Sequence, residues 1–125
     1  MLDGIRRESV ALAPREACGL LFGEGAEITA FQAVENVAES PETRFEIDPA
    51  ALFAALKAER AGGRKLIGYW HSHPSGDATP SATDAAMAAP DGKLWLIVTA
   101  EVVTAWRAGP GGLYGRFEKL EIGTI

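Results

Sequence analysis

The apolar residues of this chain come in short runs, each closed by glycine or proline, and that punctuation limits the fold more than any other feature. Ala17-Cys18-Gly19-Leu20-Leu21-Phe22-Gly23 reads as a buried strand, and Gly23 and Gly25 turn it toward a second strand near Ile28 to Val34, making a hairpin. Arg44-Phe45-Glu46-Ile47-Asp48 alternates as a short strand would. Lys65 to His71 reads as a central strand, and Leu94 to Thr99, Val102 to Arg107 and Leu113 to Glu121 as closing strands. Helical stretches lie among them. Leu2 to Leu12 is one, stopped by Pro14. A second has Asp48 as N-cap, Pro49 in its first turn and an apolar stripe of Leu52, Phe53 and Leu56 before Gly62-Gly63 ends it, and Thr79-Pro80 opens a third. Helices interspersed among mostly adjacent strands predict an α/β chain with one mixed sheet and helices packed on its faces.

The 125 residues, 47% of them apolar, supply one core, and a single domain over residues 1–125 is expected. With 17 acidic against 12 basic side chains the net charge is −5, and no stretch gathers enough Lys and Arg to neutralise a row of phosphates, so nucleic acid is not an expected partner. The run Val10-Ala11-Leu12-Ala13 behind Arg6 and Arg7 is too short for a signal-peptide core or a membrane span, which predicts a cytoplasmic protein without membrane contact. Cys18 stands alone and cannot close an internal disulfide, so it reads as a small buried hydrophobe in a reducing compartment. Nothing marks an interface, and the oligomeric state is not set by the sequence.

The chemistry concentrates between Gly68 and Asp84, a segment that holds both histidines of the chain. Side chains at i and i+2 of a strand share a face, so His71 and His73 can present two imidazoles to one ion near the strand's end. Ser81 and Asp84 lie three apart on the expected helix, and a Pro-, Gly- and Ser-rich loop can fold that face back over the strand, bringing Asp84 in as a third ligand. Two neutral imidazoles and one carboxylate suit zinc with its fourth position open to water, the catalytic arrangement. A plainer reading stands beside this one: Ser81-x-x-Asp84 is also how a helix starts, with a hydroxyl cap and a carboxylate at the positive end of the dipole. Trp70, Trp95 and Trp106 read as core residues, and Asp77 as a turn residue. Cys18 as nucleophile would lack an imidazole base, since both histidines are committed.

His71-x-His73-Pro74, six residues and then Ser81-x-x-Asp84 resembles the motif of the JAMM family of metalloproteases, also called MPN-plus or JAB. Gly68-Tyr69-Trp70 resembles that family's glycine-aromatic-aromatic lead-in, and Pro14-Arg15-Glu16-Ala17-Cys18-Gly19-Leu20-Leu21 resembles the upstream block of its compact prokaryotic members. The similarity extends through Asn36, Phe45 and the helix after Pro49 to the closing strands. In one respect the chain departs: such domains usually open with a short strand, whereas here the helix begins almost at Met1, and an abbreviated sheet edge is expected.

The resemblance implies an α-β-α sandwich related to the cytidine-deaminase fold, with one zinc bound by His71, His73 and Asp84. It implies that Glu16 is the general base toward the attacking water, a choice that composition does not make among Glu16, Glu24, Glu27, Glu35, Glu39, Glu42 and Glu46. It also implies that Ser81 donates to the oxyanion. The implied activity is cleavage of a peptide or isopeptide bond. Short connections leave little room for the insertions with which deubiquitinating relatives grip two ubiquitins. The expected substrate is therefore a ubiquitin-like or sulfur-carrier protein, cut after its C-terminal Gly-Gly, with the tail paired along a sheet edge. Two alternatives are a catalytically silent interaction module of the same fold and a general small-peptide peptidase. A nucleobase deaminase would need His-x-Glu and Pro-Cys-x-x-Cys, which the chain lacks.

Overall fold

The computed structural model describes residues 1–121, which form three helices and six strands in a mixed sheet. The chain opens with α1 (Leu2–Leu12), then the hairpin β1 (Cys18–Glu24) and β2 (Glu27–Val34). A long connection leads to α2 (Pro49–Arg60), β3 (Leu66–Ser72), α3 (Ala82–Met87), β4 (Leu94–Val98), β5 (Val103–Leu113) and β6 (Phe117–Leu120). The strands lie in the order β2-β1-β3-β4-β5-β6, and β3 with β4 is the one parallel pair among the described residues. A parallel pair needs a crossover, and α3 with its flanking loops supplies it.

Alternation along the strands sorts the side chains into two layers. On one face Leu21, Trp70, Leu94, Leu96 and Val98 cluster under Ile5 of α1. On the other, Leu20, Phe22 and Leu66 meet Ala55 of α2, while Trp95, Ile97 and Trp106 meet Ala88 at the end of α3. Helices on both faces make the expected α-β-α sandwich. All three tryptophans are buried, as expected. Gly68 is required by the closeness of β3 to β4: a Cβ there would sit 2.2 Å from the Leu94 carbonyl oxygen.

Four local expectations need correction. Residues 44–48 form no strand beyond a single bridge between Asn36 and Ile47, because the Asn36 side chain takes the backbone bonds a ladder would use. The third helix starts at Ala82 rather than at Thr79-Pro80, since Ser81 caps it. The stripe on α2 is narrower than predicted: Ala55 is its buried residue, and Phe53 is 62% exposed. Finally, β5 continues through the glycines to Leu113, and β6 begins only at Phe117.

Candidate metal centre and cleft

His71 lies on the face of β3 that carries Tyr69, one residue before the strand's end, and Phe45 stacks on its ring with centroids 4.3 Å apart. His73 follows the strand, its amide bonded to the Val98 carbonyl. Asp84 arrives from α3, whose start is a capping box: the Ser81 hydroxyl accepts from the Asp84 amide at 3.0 Å, and Asp84 Oδ2 accepts from the Ser81 amide at 2.9 Å. The plainer reading of Ser81-x-x-Asp84 therefore holds. The same Oδ2 also lies 3.2 Å from His71 Nε2 and 3.1 Å from His73 Nε2, and those two nitrogens are 2.9 Å apart.

This triangle is short of protons. His73 Nδ1 donates to the Asp77 carbonyl at 2.7 Å, so a neutral His73 turns a bare Nε2 toward the centre. That lone pair and the Asp84 carboxylate then compete for at most one hydrogen on His71, whose Nδ1 is buried without a partner. A cation relieves the deficit. Ligands about 2.0–2.1 Å from zinc in a tetrahedral site lie roughly 3.3 Å from one another, close to the separations here, so the donor set fits that ion. Burial holds His71 below the ordinary imidazole value, despite its hydrogen bond to Asp84, and so keeps it neutral as a ligand must be. Burial acts the same way on His73, but the bonds to Asp84 and Asp77 outweigh it and draw that imidazole upward. Burial would raise Asp84, yet the His71 and His73 rings set against its Oδ2 and the Ser81 amide hold it well below the usual carboxylate range.

Glu16 stands just before β1, 5% exposed, with Oε1 unpartnered. Ligand atoms of Glu16, His71 and His73, one from each, lie within 4.8 Å of one another, so Glu16 faces the same centre and could itself help to hold an ion there. Desolvation, reinforced by the Asp84 charge and opposed by His73, pushes its carboxyl up to about 7. Glu16 and Ser81 both line an open cleft of about 500 Å³ walled by Glu42, Asp77 and Tyr114. All five residues singled out in the sequence are thus brought together. Asp77 keeps its turn role, accepting from the Thr79 amide, and through its carbonyl it also fixes the His73 tautomer. Cys18 is buried, and desolvation with the neighbouring Glu16 charge pushes its thiol up to about 12, leaving no thiolate.

Sequence reading missed the residues that hold this arrangement. Ser72 Oγ accepts from the Ala17 amide at 2.8 Å, tying the segment beside Glu16 to β3. Asn36 Nδ2 donates to the Glu16 carbonyl at 2.9 Å and to the Arg44 carbonyl at 3.0 Å, while its Oδ1 accepts from the amides of Ala38 and Glu46. An asparagine closing a strand before a long polar connection was the available signal.

Two imidazoles and a carboxylate whose polar atoms converge, a second buried carboxylate beside them and a hydroxyl at a helix start fit one class: a hydrolase built around a candidate metal centre. A family model described as prokaryotic homologs of the JAB domain matches residues 1–109, and the chain belongs to that family. Membership makes it a hydrolase of the JAMM isopeptidase and metalloprotease type. It is 36% identical over 99 residues to a desampylase of Haloferax volcanii, covering 78% of this chain and 71% of that protein. It is 39% identical over 84 residues to a probable TtuB-protein conjugate cleaving protease of Thermus thermophilus, covering 67% of this chain but 56% of that one. Among solved structures, a protein of Desulfitobacterium hafniense superposes with a TM-score of 0.80 at 28% identity, over 96% of this chain and 85% of that one. A JAB1/MPN domain protein from Archaeoglobus fulgidus shares the fold at a TM-score of 0.64 and 19% identity, over 98% of this chain and 91% of that one. No helix among the described residues is long and apolar enough to cross a membrane.

Proposed function

We propose that this chain is a zinc-dependent isopeptidase that cuts after the C-terminal Gly-Gly of a ubiquitin-like or sulfur-carrier protein, releasing the conjugated lysine or a peptide. The observation that carries the reading is the triangle of His71, His73 and Asp84 donor atoms, 2.9 to 3.2 Å apart, with Glu16 beside it in the same cleft. His71, His73 and Asp84 would hold the ion. When bound, zinc polarises the scissile carbonyl and lowers the pKa of its water to roughly 7. Glu16 takes the proton of the attacking water on its unpartnered Oε1 and returns it to the leaving amine. The Ser81 hydroxyl spends a lone pair on the Asp84 amide, which leaves its hydrogen free to donate to the developing oxyanion. Asp77 keeps His73 in the tautomer that turns Nε2 inward. The names of the Haloferax and Thermus relatives support the substrate class.

The cleft opens at the end of β3, inside the sheet, and its walls are loops rather than either edge strand. In this reading the Gly-Gly tail is therefore held by loops, and the pairing with a sheet edge expected from sequence is set aside. The test is a zinc assay paired with cleavage of Gly-Gly-linked conjugates. Wild-type protein should carry about one zinc and cleave, and Glu16→Gln should keep its zinc while losing at least about a hundredfold in rate. A protein that binds no zinc, or retains it after His71→Ala plus His73→Ala, overturns the ligand assignment; zinc binding without cleavage favours an interaction module. Equal cleavage when the terminal glycine is replaced by valine would mark a general peptidase.

A further inference from the structure

We infer that Tyr114 is a substrate-holding residue of the cleft, packing its ring over the extended Gly-Gly segment that leads to the scissile bond; this rests on the isopeptidase reading above and deepens it. Tyr114 lies in the turn between β5 and β6 with φ 55°, in the left-handed region, and is the one non-glycine residue with positive φ among the described residues. A bulky side chain is disfavoured there, and glycine or asparagine is the usual solution. Gly112 and Gly115 on either side adopt φ 74° and 63° and show what this backbone path asks for.

Packing does not account for the tyrosine either. Its neighbour Leu113 packs on the cluster of Trp95 and Phe45, whereas Tyr114 is 59% exposed. Tyr114 is instead one of the residues lining the cleft that Glu16 and Ser81 also line. Apart from His73 it is the only aromatic ring among the cleft's lining residues, which otherwise carry carboxylates, hydroxyls, prolines and one alanine. A diglycine segment offers flat peptide planes and no side chain to grip, and a broad aromatic face is the group that binds such planes by close contact. Strain retained at a functional rim, with no structural return, is the pattern expected of a residue kept for what it holds.

The test compares wild type, Tyr114→Asn and Tyr114→Phe on a Gly-Gly-linked peptide conjugate, with thermal melting of each. Asparagine keeps the left-handed backbone and removes the ring, so its Tm should equal or exceed that of wild type while KM rises at least about fivefold and kcat stays within about twofold. Phenylalanine should keep the wild-type KM, because the ring and not the hydroxyl does the holding. A fluorescent peptide ending in Gly-Gly should likewise bind Glu16→Gln protein more tightly than the Glu16→Gln, Tyr114→Asn double variant. An unchanged KM in Tyr114→Asn, a phenylalanine variant as weak as the asparagine one, or a Tm falling by several degrees overturns the inference. If wild type cleaves and Tyr114→Asn matches it, only the role of Tyr114 falls; if wild type cleaves no Gly-Gly-linked substrate, the isopeptidase reading falls and takes this inference with it.

Discussion

Glu16 is costly to the metal-free protein, and its sign with pH can be worked out. Its folded value of about 7 lies above the ordinary 4.5, so the stability tied to its neutral form is complete below about pH 4.5 and is lost as pH climbs through 7. Glu16→Gln should therefore stabilise metal-free protein at pH 8, by up to about 3 kcal/mol, and change it little near pH 4.5; denaturant titrations at the two pH values check this. A cation beside the carboxylate favours ionisation, so the acid limb of activity in the loaded enzyme should have its midpoint below about 7. Ser81 carries two duties that one substitution separates. Losing the cap in Ser81→Ala should cost about 1 kcal/mol, too little to unfold the chain, while the missing oxyanion donor should lower kcat on the order of a hundredfold. Melting curves and turnover on the same samples measure both.

At the level of elements, the connection from β2 to α2 has almost no ladder of its own and is organised by Asn36. Its amide serves the backbone of Glu16, Pro41, Ala38, Arg44 and Glu46 at once. Asn36→Ala would leave several of these groups buried and unpaired, so a loss on the order of 3 kcal/mol is expected. Activity should fall further than stability alone explains, because the Glu16 backbone loses a tether. Asn36→Asp keeps the acceptor half of the network but turns a carboxylate oxygen on the Glu16 and Arg44 carbonyls, so it should be no more stable than Asn36→Ala at neutral pH. The comparison of Tm with kcat across these variants reads out both effects.

Across the whole molecule, the fold was legible where strands are apolar and glycine-bounded, because burial writes itself as composition: the runs at 17–23, 65–71 and 94–99 needed shifts of only a residue or so. It was illegible where a side chain stands in for backbone pairing, as Asn36 does for residues 44–48, and where glycine and proline lie inside a strand, as at 109–112 of β5. The convergence of His71, His73 and Asp84, the proposed metal ligands, was legible because they are close in sequence. Glu16 was not distinguishable from other glutamates by its residue type. What sets it apart is burial beside β3, secured by the Ala17 to Ser72 bond across 55 residues, and only family resemblance could anticipate that. On the proposed zinc reading, the ion is a ligand bound to the native state alone, so chelation should abolish activity and lower Tm by roughly 5 °C or more, both restored by zinc.

The capping box of α3 has a consequence for how the protein breathes. A helix of six residues cannot sustain itself, and its first turn is secured by the same carboxylate oxygen that faces both histidines. If the proposed ion binds there, withdrawing it would loosen what holds that oxygen, so the local opening of α3 would become easier while the apolar strands beneath stay closed. Native-state hydrogen exchange should show it: on chelation the amides of Ala85 and Ala88, which bond back to Ser81 and Asp84, should exchange many times faster, and those of β1, β3 and β4 should speed up only by the smaller factor set by the loss of global stability. On that reading the crossover helix is the part of the molecule whose exchange reports whether the centre is loaded.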